Sequence, residues 1–271
     1  MTRKCCVLIL VATIAALVLR LPRLEQRPMH GDEAVHAIKF GKLLEKNVYK
    51  YDPFEYHGPT LNYLTLIPAW ISSEHTISKV NEFTLRIVPV ICGVLLILFI
   101  WFISDGLGEK ASVLAAILTA ISPAMVFYSR YYIQEMLLVC FAFGAIVTGY
   151  RYYRDRKIIW AILAGVFIGL MHATKETFII SLGSMFLALV AVKLFHSKNA
   201  NITENVKKIK TMHFVAGLIA ACIVSVLFFS SFFTNMKGIT DSILTFQTYF
   251  NRAGTSDIHN HPWYYYLKML I

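Results

Sequence analysis

Long apolar stretches alternate with short polar segments along the 271-residue chain. A helix needs about 20 apolar residues to cross a bilayer. The stretches are continuous rather than alternating apolar with polar residues, which indicates helices and not strands. Seven spans are predicted, at residues 5–21, 84–104, 111–127, 134–150, 158–171, 177–195 and 214–233. The pattern therefore predicts an all-α membrane protein, a multi-span bundle of about seven transmembrane helices.

Two of these stretches carry a weaker signal than the others. The first follows the basic pair Arg3-Lys4, which is also how a cleavable signal peptide begins. No small-residue cleavage site follows it, and the stretch ends through Arg20 and Pro22, so an uncleaved signal anchor is favoured. The fifth stretch, 158–171, is short for a membrane span.

Composition and charge narrow the class further. Hydrophobic residues make up 57% of the chain and charged residues 15%, well below the charged fraction of a typical soluble domain. The net charge of +10 is concentrated in alternate short loops, which favours a cytoplasmic N-terminus over binding to nucleic acid. The basic residues of these loops are Arg151, Arg154, Arg156 and Lys157 in one, and Lys198, Lys207, Lys208 and Lys210 in the other. The five cysteines lie in apolar stretches, without metal-ligand spacing or a disulfide pattern.

With this orientation one transmembrane domain, residues 1–271, exposes an outer loop at 22–83 and an outer tail at 234–271. Residues 34–45 of the outer loop have the spacing of an amphipathic helix. Its predicted apolar face holds Ala34, Ala37, Ile38, Gly41 and Leu44, and its predicted polar face holds His36, Lys39, Lys42 and Lys46. Such a helix suits the membrane surface, with its basic edge toward phosphates.

Two polar motifs of the outer loop are candidates for chemistry. Asp32 and Glu33 precede the amphipathic helix, where Asp32 would serve as N-cap and Glu33 would compensate the helix dipole. Glu55 and His57 come just before a second helix start at Gly58-Pro59. An acid and an imidazole at this spacing could bind a cation or an anionic substrate, although two ligands alone are a weak metal signal.

Three further polar segments fall on the same predicted face. Arg130 and Glu135 lie in the turn between the third and fourth spans, and Lys175 lies between the fifth and sixth. These groups could simply reach for water or neutralise each other. His261 lies in an aromatic-rich part of the tail, for which an interfacial aromatic belt is the alternative interpretation.

The order of these motifs resembles the glycosyltransferase family 39 type of the GT-C superfamily, which includes protein O-mannosyltransferases and aminoarabinose transferases. The resemblance rests on Asp32-Glu33, on the segment from Glu55 to Leu61, on Arg130 with Glu135, and on Lys175. Glu55 stands where the mannosyltransferases have a second aspartate, and Gly58 replaces the first of two prolines. The chain is most similar to an archaeal and bacterial subgroup of flippase-associated membrane proteins, with similar His-Gly-Pro and Ala-Thr-Lys-Glu strings.

The resemblance implies an inverting transferase that takes a sugar from a polyprenyl-phosphate donor on the extracytoplasmic face. The acceptor would be a protein, a lipid or a glycan. Asp32 would be the general base, with Glu33 positioning it or its helix. The donor and its phosphate would be bound by Glu55, His57, Arg130, Glu135, Lys175 and His261. Glu55 and His57 could alternatively hold a divalent cation; membrane lipids are the other expected partners.

Two other classes of function remain open at this point. One is a non-catalytic protein that aids flipping or transport of lipid-linked sugars, and the other is an interaction protein without chemistry. Internal repeats and ionisable groups inside most spans, which are typical of transporters, are not seen in the sequence. Proteins of the resembled type have further spans beyond this point, so the chain is expected to be C-terminally incomplete.

Overall fold

A computed structural model of the chain describes residues 2–54, 57–196, 210–255, 262 and 264–269. Within these ranges the protein is all-helical and contains no β-strand, as the sequence predicts. A single 3-10 turn at Ile77–Lys79 accompanies the α-helices of the described ranges. The helices are α1 Arg3–Arg20, α2 Gly31–Lys46, α3 Thr60–Ile71, α4 Glu82–Leu107, α5 Glu109–Ile121, α6 Pro123–Ser129, α7 Glu135–Asp155, α8 Ile158–His172, α9 Phe178–His196, α10 Thr211–Phe229, α11 Lys237–Thr255 and α12 Tyr265–Met269.

Four of the described helices, α4, α7, α9 and α10, are long and apolar enough to cross a membrane, and α5 with α6 forms a bent fifth candidate. Helix α1 carries three basic residues among its 18 residues, and α8 has only 15 residues. Neither helix therefore meets the same criterion of length and apolar composition. The prediction of an all-helical, multi-span membrane protein is confirmed. The count of seven spans is not confirmed and stays a prediction.

The span predicted at 111–127 is wrong as a single straight helix. Helix α5 ends at Ile121, and α6 begins at Pro123 at an angle of 57° to it. Ser122 caps α6 by accepting a hydrogen bond from the Met125 N–H, and Pro123 at the first position suits a helix start. The span predicted at 214–233 also ends early, at Phe229, because residues 231–233 have positive φ angles that no α-helix allows.

The helix predicted at 34–45 exists as α2, but its N-cap is His30, so the assignment of Asp32 as N-cap is wrong. The His30 ring accepts a hydrogen bond from the Asp32 N–H, and the Glu33 carboxylate accepts one from the His30 N–H, which together form a capping box. The predicted faces are partly wrong as well. Ile38 is 61% exposed, whereas His36 is buried, because the helix rests on its 36, 37, 40, 43 and 44 positions.

The membrane helices pack closely where glycines allow it. Helix α8 lies along α10 and α7, and α7 in turn packs on α4. A Cβ on Gly165 of α8 would lie 1.9 Å from the carbonyl oxygen of Gly217 in α10. Such close backbone approach at small residues is how membrane helices gain packing energy without a hydrophobic driving force. The α8–α10 contact fixes the position of the C-terminal end of α8, where part of the candidate site begins.

Substituting Gly165→Ala should destabilise the protein, because the added methyl group requires the α8 and α10 backbones to separate. Overpacking of this kind costs about 1–3 kcal/mol. A fall in thermal unfolding temperature in detergent would register the change. Gly149→Ala in α7 is the matched control, since a methyl group added there would meet no atom of the described residues within 4 Å. Equal unfolding temperatures for the two variants would show that the α8–α10 contact does not depend on glycine.

Contacts between the helix ends define two ends of the bundle. At one end, Thr2 bonds the Glu109 carboxylate, and Arg151 bonds Asp105 at 3.1 Å. At the other end lie the C-terminus of α1, helices α2 and α3, and the α6–α7 and α8–α9 connections, which we call the site end. All described candidate residues belong to the site end.

Candidate functional site

Glu33 is the centre of a buried polar cluster at the site end. Its side chain is fully buried, and it receives a bidentate contact from Arg86 of α4 at 2.9 and 3.0 Å. Arg27 Nη2 binds the same carboxylate at 2.8 Å, and the Tyr132 N–H donates to it at 2.9 Å. Burial by itself raises the pKa of Glu33, but the hydrogen bonds from Arg86, Tyr132 and His30 hold it below its usual value. Glu33 therefore fixes the start of α2 to α4 and to the α6–α7 turn.

Asp32, unlike the buried Glu33, is accessible to solvent. Its side chain is 71% exposed and lies beside the His30 ring, whose Nδ1 is 3.5 Å from Asp32 Oδ2. The backbone of Asp32 is nonetheless fixed, because it lies in the helical turn that Glu33 anchors. The Asp-Glu pair thus consists of one accessible carboxylate and one buried carboxylate that holds it in place.

The guanidinium of Arg130 binds the C-terminal end of α1. Nη1 donates to the carbonyl oxygens of Leu19 and Arg20 at 3.3 and 3.0 Å, close to where α1 leaves its carbonyls unpaired. Burial lowers the pKa of Arg130, as do the nearby cations Arg27 and Arg86. Arg27 and Arg86 bind Glu33, and Arg130 lies close enough to both for their charges to lower its pKa, so this part of the site end has an excess of positive charge.

His57 meets an acid that the sequence analysis did not single out. Its Nδ1 lies 2.8 Å from Glu176 Oε2, and the hydroxyls of Tyr51 and Tyr249 donate to the same carboxylate at 3.0 and 3.2 Å. Burial raises the pKa of Glu176, but the contacts with His57 and Tyr51 and a backbone hydrogen bond together outweigh it and lower the pKa below its usual value. Because the carboxylate holds Nδ1, the opposite nitrogen of the ring remains the one that can face a ligand.

Gly58 allows His57 and Glu176 to come into contact. Its N–H donates to the Thr174 carbonyl at 3.0 Å, and the Thr60 N–H donates to the Ala173 carbonyl at 3.1 Å. A Cβ on Gly58 would lie 2.1 Å from the Ala173 oxygen. The His-Gly-Pro and Ala-Thr-Lys-Glu strings of the sequence therefore lie directly against each other.

The α6–α7 turn connects the two clusters. Its Tyr132 N–H binds Glu33, its Gln134 Nε2 lies 3.3 Å from His36 Nδ1, and Glu135 pairs with Lys175 at 2.5 Å. The rings of His36 and His57 are 6.2 Å apart. The structure therefore brings Glu33, His57, Glu135 and Lys175 together through one continuous set of contacts. The Arg130 side chain lies at the edge of this set, on the α1 side.

His36 makes the stability of the site end depend on pH. Burial, with the neighbouring His57 and Lys39, lowers the pKa of His36 from 6.5 to about 4, so the folded protein keeps the ring neutral. The unfolded chain binds a proton below about pH 6.5, so this contribution is present above that pH and is lost as the pH falls toward 4. We expect the free energy of unfolding to decrease over that range, by up to about 1.4 kcal/mol per pH unit, and the unfolding temperature to drop with it.

The variant His36→Gln should flatten this dependence, whereas His75→Gln, at an exposed position, should leave it unchanged. Thermal unfolding of the three proteins at several pH values between 7 and 4.5 would measure it. Parallel curves for the wild type and His36→Gln would contradict the assignment.

The two remaining candidates and the predicted cation cannot be placed. Glu55 and His261 lie outside the described residues. Among the residues that are described, no group of three or more His, Cys, Asp or Glu side chains could hold a metal ion. His57 with Glu176 supplies two ligands, so a cation held by Glu55 and His57 stays a prediction.

Sequence reasoning missed several members of the site. Arg86 lies inside a predicted span. Its charge alone could have marked it, because an ionisable group in a membrane helix is costly unless it pairs with another polar group. Glu176 directly follows Lys175, and its only signal in the sequence is its place in the Ala-Thr-Lys-Glu string. Arg27 and Tyr51 lay in the outer loop without a distinguishing pattern, and Tyr249 lay in the outer tail.

Known proteins share both the sequence pattern and the fold. Residues 64–229, more than half of the chain, match the family model described as dolichyl-phosphate-mannose-protein mannosyltransferase. No curated protein sequence matches the chain. The fold is similar to that of the S. cerevisiae protein O-mannosyltransferase Pmt1-Pmt2 complex bound to the sugar donor, with a TM-score of 0.66 and 18% identity over 88% of this chain and 34% of that one.

The second similar structure is the archaeal oligosaccharyltransferase AglB from Archaeoglobus fulgidus, in complex with an inhibitory peptide and a dolichol-phosphate. Its TM-score is 0.62, with 17% identity over 94% of this chain and 35% of that chain. The chain thus spans about a third of the length of both structures. At these identities the similarity shows a common GT-C membrane fold. Together with the family match, it makes this chain an integral membrane protein that belongs to the dolichyl-phosphate-mannose-protein mannosyltransferase family.

Proposed function

We propose that the chain transfers a sugar from a polyprenyl-phosphate donor to an acceptor on the extracytoplasmic face, with inversion at the anomeric carbon. The observation that carries this proposal is the accessible Asp32 beside the buried, arginine-bound Glu33 at one end of a membrane bundle. Membership of the family supports it, as does the donor bound to the yeast relative. In its more specific form, the proposal is that the transfer is of the family 39 type and that the chain belongs to the flippase-associated subgroup.

Asp32 is the proposed general base. Its carboxylate takes the proton of the acceptor hydroxyl as that oxygen bonds to the anomeric carbon. The bond between that carbon and the phosphate oxygen breaks, and its electron pair leaves on the polyprenyl phosphate. Attack from the side opposite the phosphate accounts for inversion. Glu33 acts through Asp32, because its contacts with Arg86 and Tyr132 fix the helical turn that carries the base.

The positive charge at the site end is proposed to bind the leaving phosphate. Arg27 is suited to this role, because its side chain is 36% exposed while one nitrogen remains on Glu33. Arg130 and Lys175 add to the positive charge, and each is held by a partner. His57, oriented by Glu176, and Glu135 are proposed to bind the sugar, with Glu55 and His261 completing the donor site. The prenyl tail would remain in the lipid.

Orientation is part of the proposal. The end opposite the site carries Arg3, Lys4, Arg151, Arg154 and Lys157, and by the positive-inside rule we propose that it faces the cytoplasm. The acceptor, whether protein, lipid or glycan, would then meet the site outside.

The purified full chain in proteoliposomes tests the function, with radiolabelled polyprenyl-phosphate sugars and host membrane extract as the source of acceptors. Label should move from the donor into an acceptor fraction. Arg27→Gln should weaken donor binding several-fold, whereas Lys79→Gln, at an exposed position of the same loop, should not. Donor that binds without transfer of label, for every sugar tried, would instead favour a lipid-handling protein.

A further inference from the structure

A lysine-rich groove lies at the site end, outside the cluster described above. Its volume is about 840 Å³, and it lies between α2, the segment at residues 48–54 and α11. Five lysines line it, from all three of these elements: Lys39, Lys42, Lys46, Lys50 and Lys237. Among the described residues that line it, Asp52 and Asp241 are the acidic ones, so these residues together carry an excess of three positive charges.

The arrangement of these lysines differs from that of an ordinary solvated helix face. Lys42 and Lys46 are four residues apart on α2, a spacing at which like charges destabilise a helix. Lys50 and Lys237 bring further positive charge toward them from two other elements. Like charges that line one concave surface repel each other, and an anion bound between them relieves that repulsion. The groove thus has the charge pattern of an anion site.

The walls of the groove are fixed by hydrogen bonds to residues that do not line it. Ser231 Oγ donates to the Tyr49 carbonyl at 2.6 Å, and Thr245 Oγ1 donates to the Pro53 carbonyl at 3.2 Å. These bonds connect the 48–54 segment to the end of α10 and to α11. Tyr51 lines the groove, and its hydroxyl donates to Glu176 of the candidate site, so the groove shares a wall with that site.

Apolar side chains accompany the lysines. Ile38 is 61% exposed, and Val48 and Leu244 are each 45% exposed, all in the lining of the groove. Free inorganic phosphate or a polar acidic peptide would leave this apolar surface in water. A lipid offers both a phosphate for the lysines and hydrocarbon for the apolar side chains. The amphipathic α2, which precedes the membrane helix α4 along the chain, is where such a lipid would be met.

We propose that this lysine groove binds the phosphate of a membrane lipid, whose chains lie along the exposed apolar side chains of α2 and α11. Phosphatidylglycerol in the bilayer and a polyprenyl phosphate share this chemistry. The site is separate from the proposed transfer of sugar and requires no turnover.

Association of spin-labelled lipids with the full chain in phosphatidylcholine nanodiscs tests the proposal. The wild type should bind labelled phosphatidylglycerol at least about fivefold more strongly than labelled phosphatidylcholine, since one lysine near an anionic lipid is worth about fivefold in affinity. The triple variant K42Q/K46Q/K237Q should lose most of this preference. Asp52→Asn should increase it, because it removes a negative charge while the amide oxygen can still accept the Phe54 N–H.

The matched control is K79Q/K110Q/K157Q, which removes three exposed lysines outside the groove and should retain the preference. Circular dichroism establishes that each variant is folded. Displacement of the label by polyprenyl phosphate at lower concentration than by phosphatidylglycerol would identify the prenyl lipid as the natural occupant. Equal loss in the control variant, no preference in the wild type, or displacement by inorganic phosphate or an acidic peptide as readily as by lipid would overturn the proposal.

Discussion

Asp32→Asn should lower sugar transfer by about 10²–10⁴-fold while leaving the fold intact, because a general base contributes a factor of that size. The amide has nearly the size of the carboxylate but cannot take a proton from the acceptor hydroxyl. Asp32 is 71% exposed, and within the described part of the chain its side chain contacts the exposed His30 ring, so little stability depends on it. Donor binding should survive, since the base contacts the acceptor and not the phosphate. Initial transfer rates at saturating donor would measure the effect.

Glu25→Gln supplies a matched control in the same outer loop, because it also replaces a carboxylate by an amide, at an exposed position outside the proposed transfer site. It should transfer at close to the wild-type rate. If Asp32→Asn also transferred at that rate, Asp32 would return to the role of a first-turn acid that compensates the dipole of α2.

Glu33→Ala should have the largest effect on stability of any single change at the site end. It leaves the guanidinium of Arg86, which is 1% exposed, without its counter-charge, and it leaves the Tyr132 and His30 N–H groups without their acceptor. Removing one partner of a buried ion pair costs about 3–5 kcal/mol. We expect a large drop in unfolding temperature, with loss of folded protein on purification.

Glu25→Ala, at an exposed position of the same loop, should change the unfolding temperature little. The comparison with Asp32→Asn separates the two neighbouring carboxylates: one variant loses transfer and keeps its fold, and the other loses its fold. A Glu33→Ala protein as stable as the wild type would show that the Arg86 cluster does not hold α2 in place.

Apolar pattern was enough to predict the class of fold, because the bilayer requires the same long apolar helix wherever the chain crosses it. It did not predict the break at Ser122-Pro123, since both residues lie inside an otherwise continuous apolar stretch. The proline was present as a signal, but its effect depends on whether a capping residue precedes it. The cap of α2 was misplaced by two residues because a histidine ring, not an aspartate, accepts the hydrogen bond.

The site could be predicted in its parts but not in its contacts. The His-Gly-Pro and Ala-Thr-Lys-Glu strings stood out in the sequence, yet nothing in either string indicated that His57 would pair with Glu176, 119 residues away. The pairing depends on Gly58, whose lack of a side chain lets the two backbones touch. Similarly, the partner of Glu33 is an arginine 53 residues further along. Pairings of this kind follow from how α2 and the loops fold over the spans.

The release of polyprenyl phosphate from a polyprenyl-phosphate sugar is the measurement that tests the central claim most directly, because it registers cleavage of the donor whichever acceptor is used. The full chain in proteoliposomes with host acceptor extract should release polyprenyl phosphate, and Asp32→Asn should bind the donor equally well but release about 10²–10⁴-fold less. Release at equal rates by both proteins, or none by the wild type with the donor bound, would contradict the account.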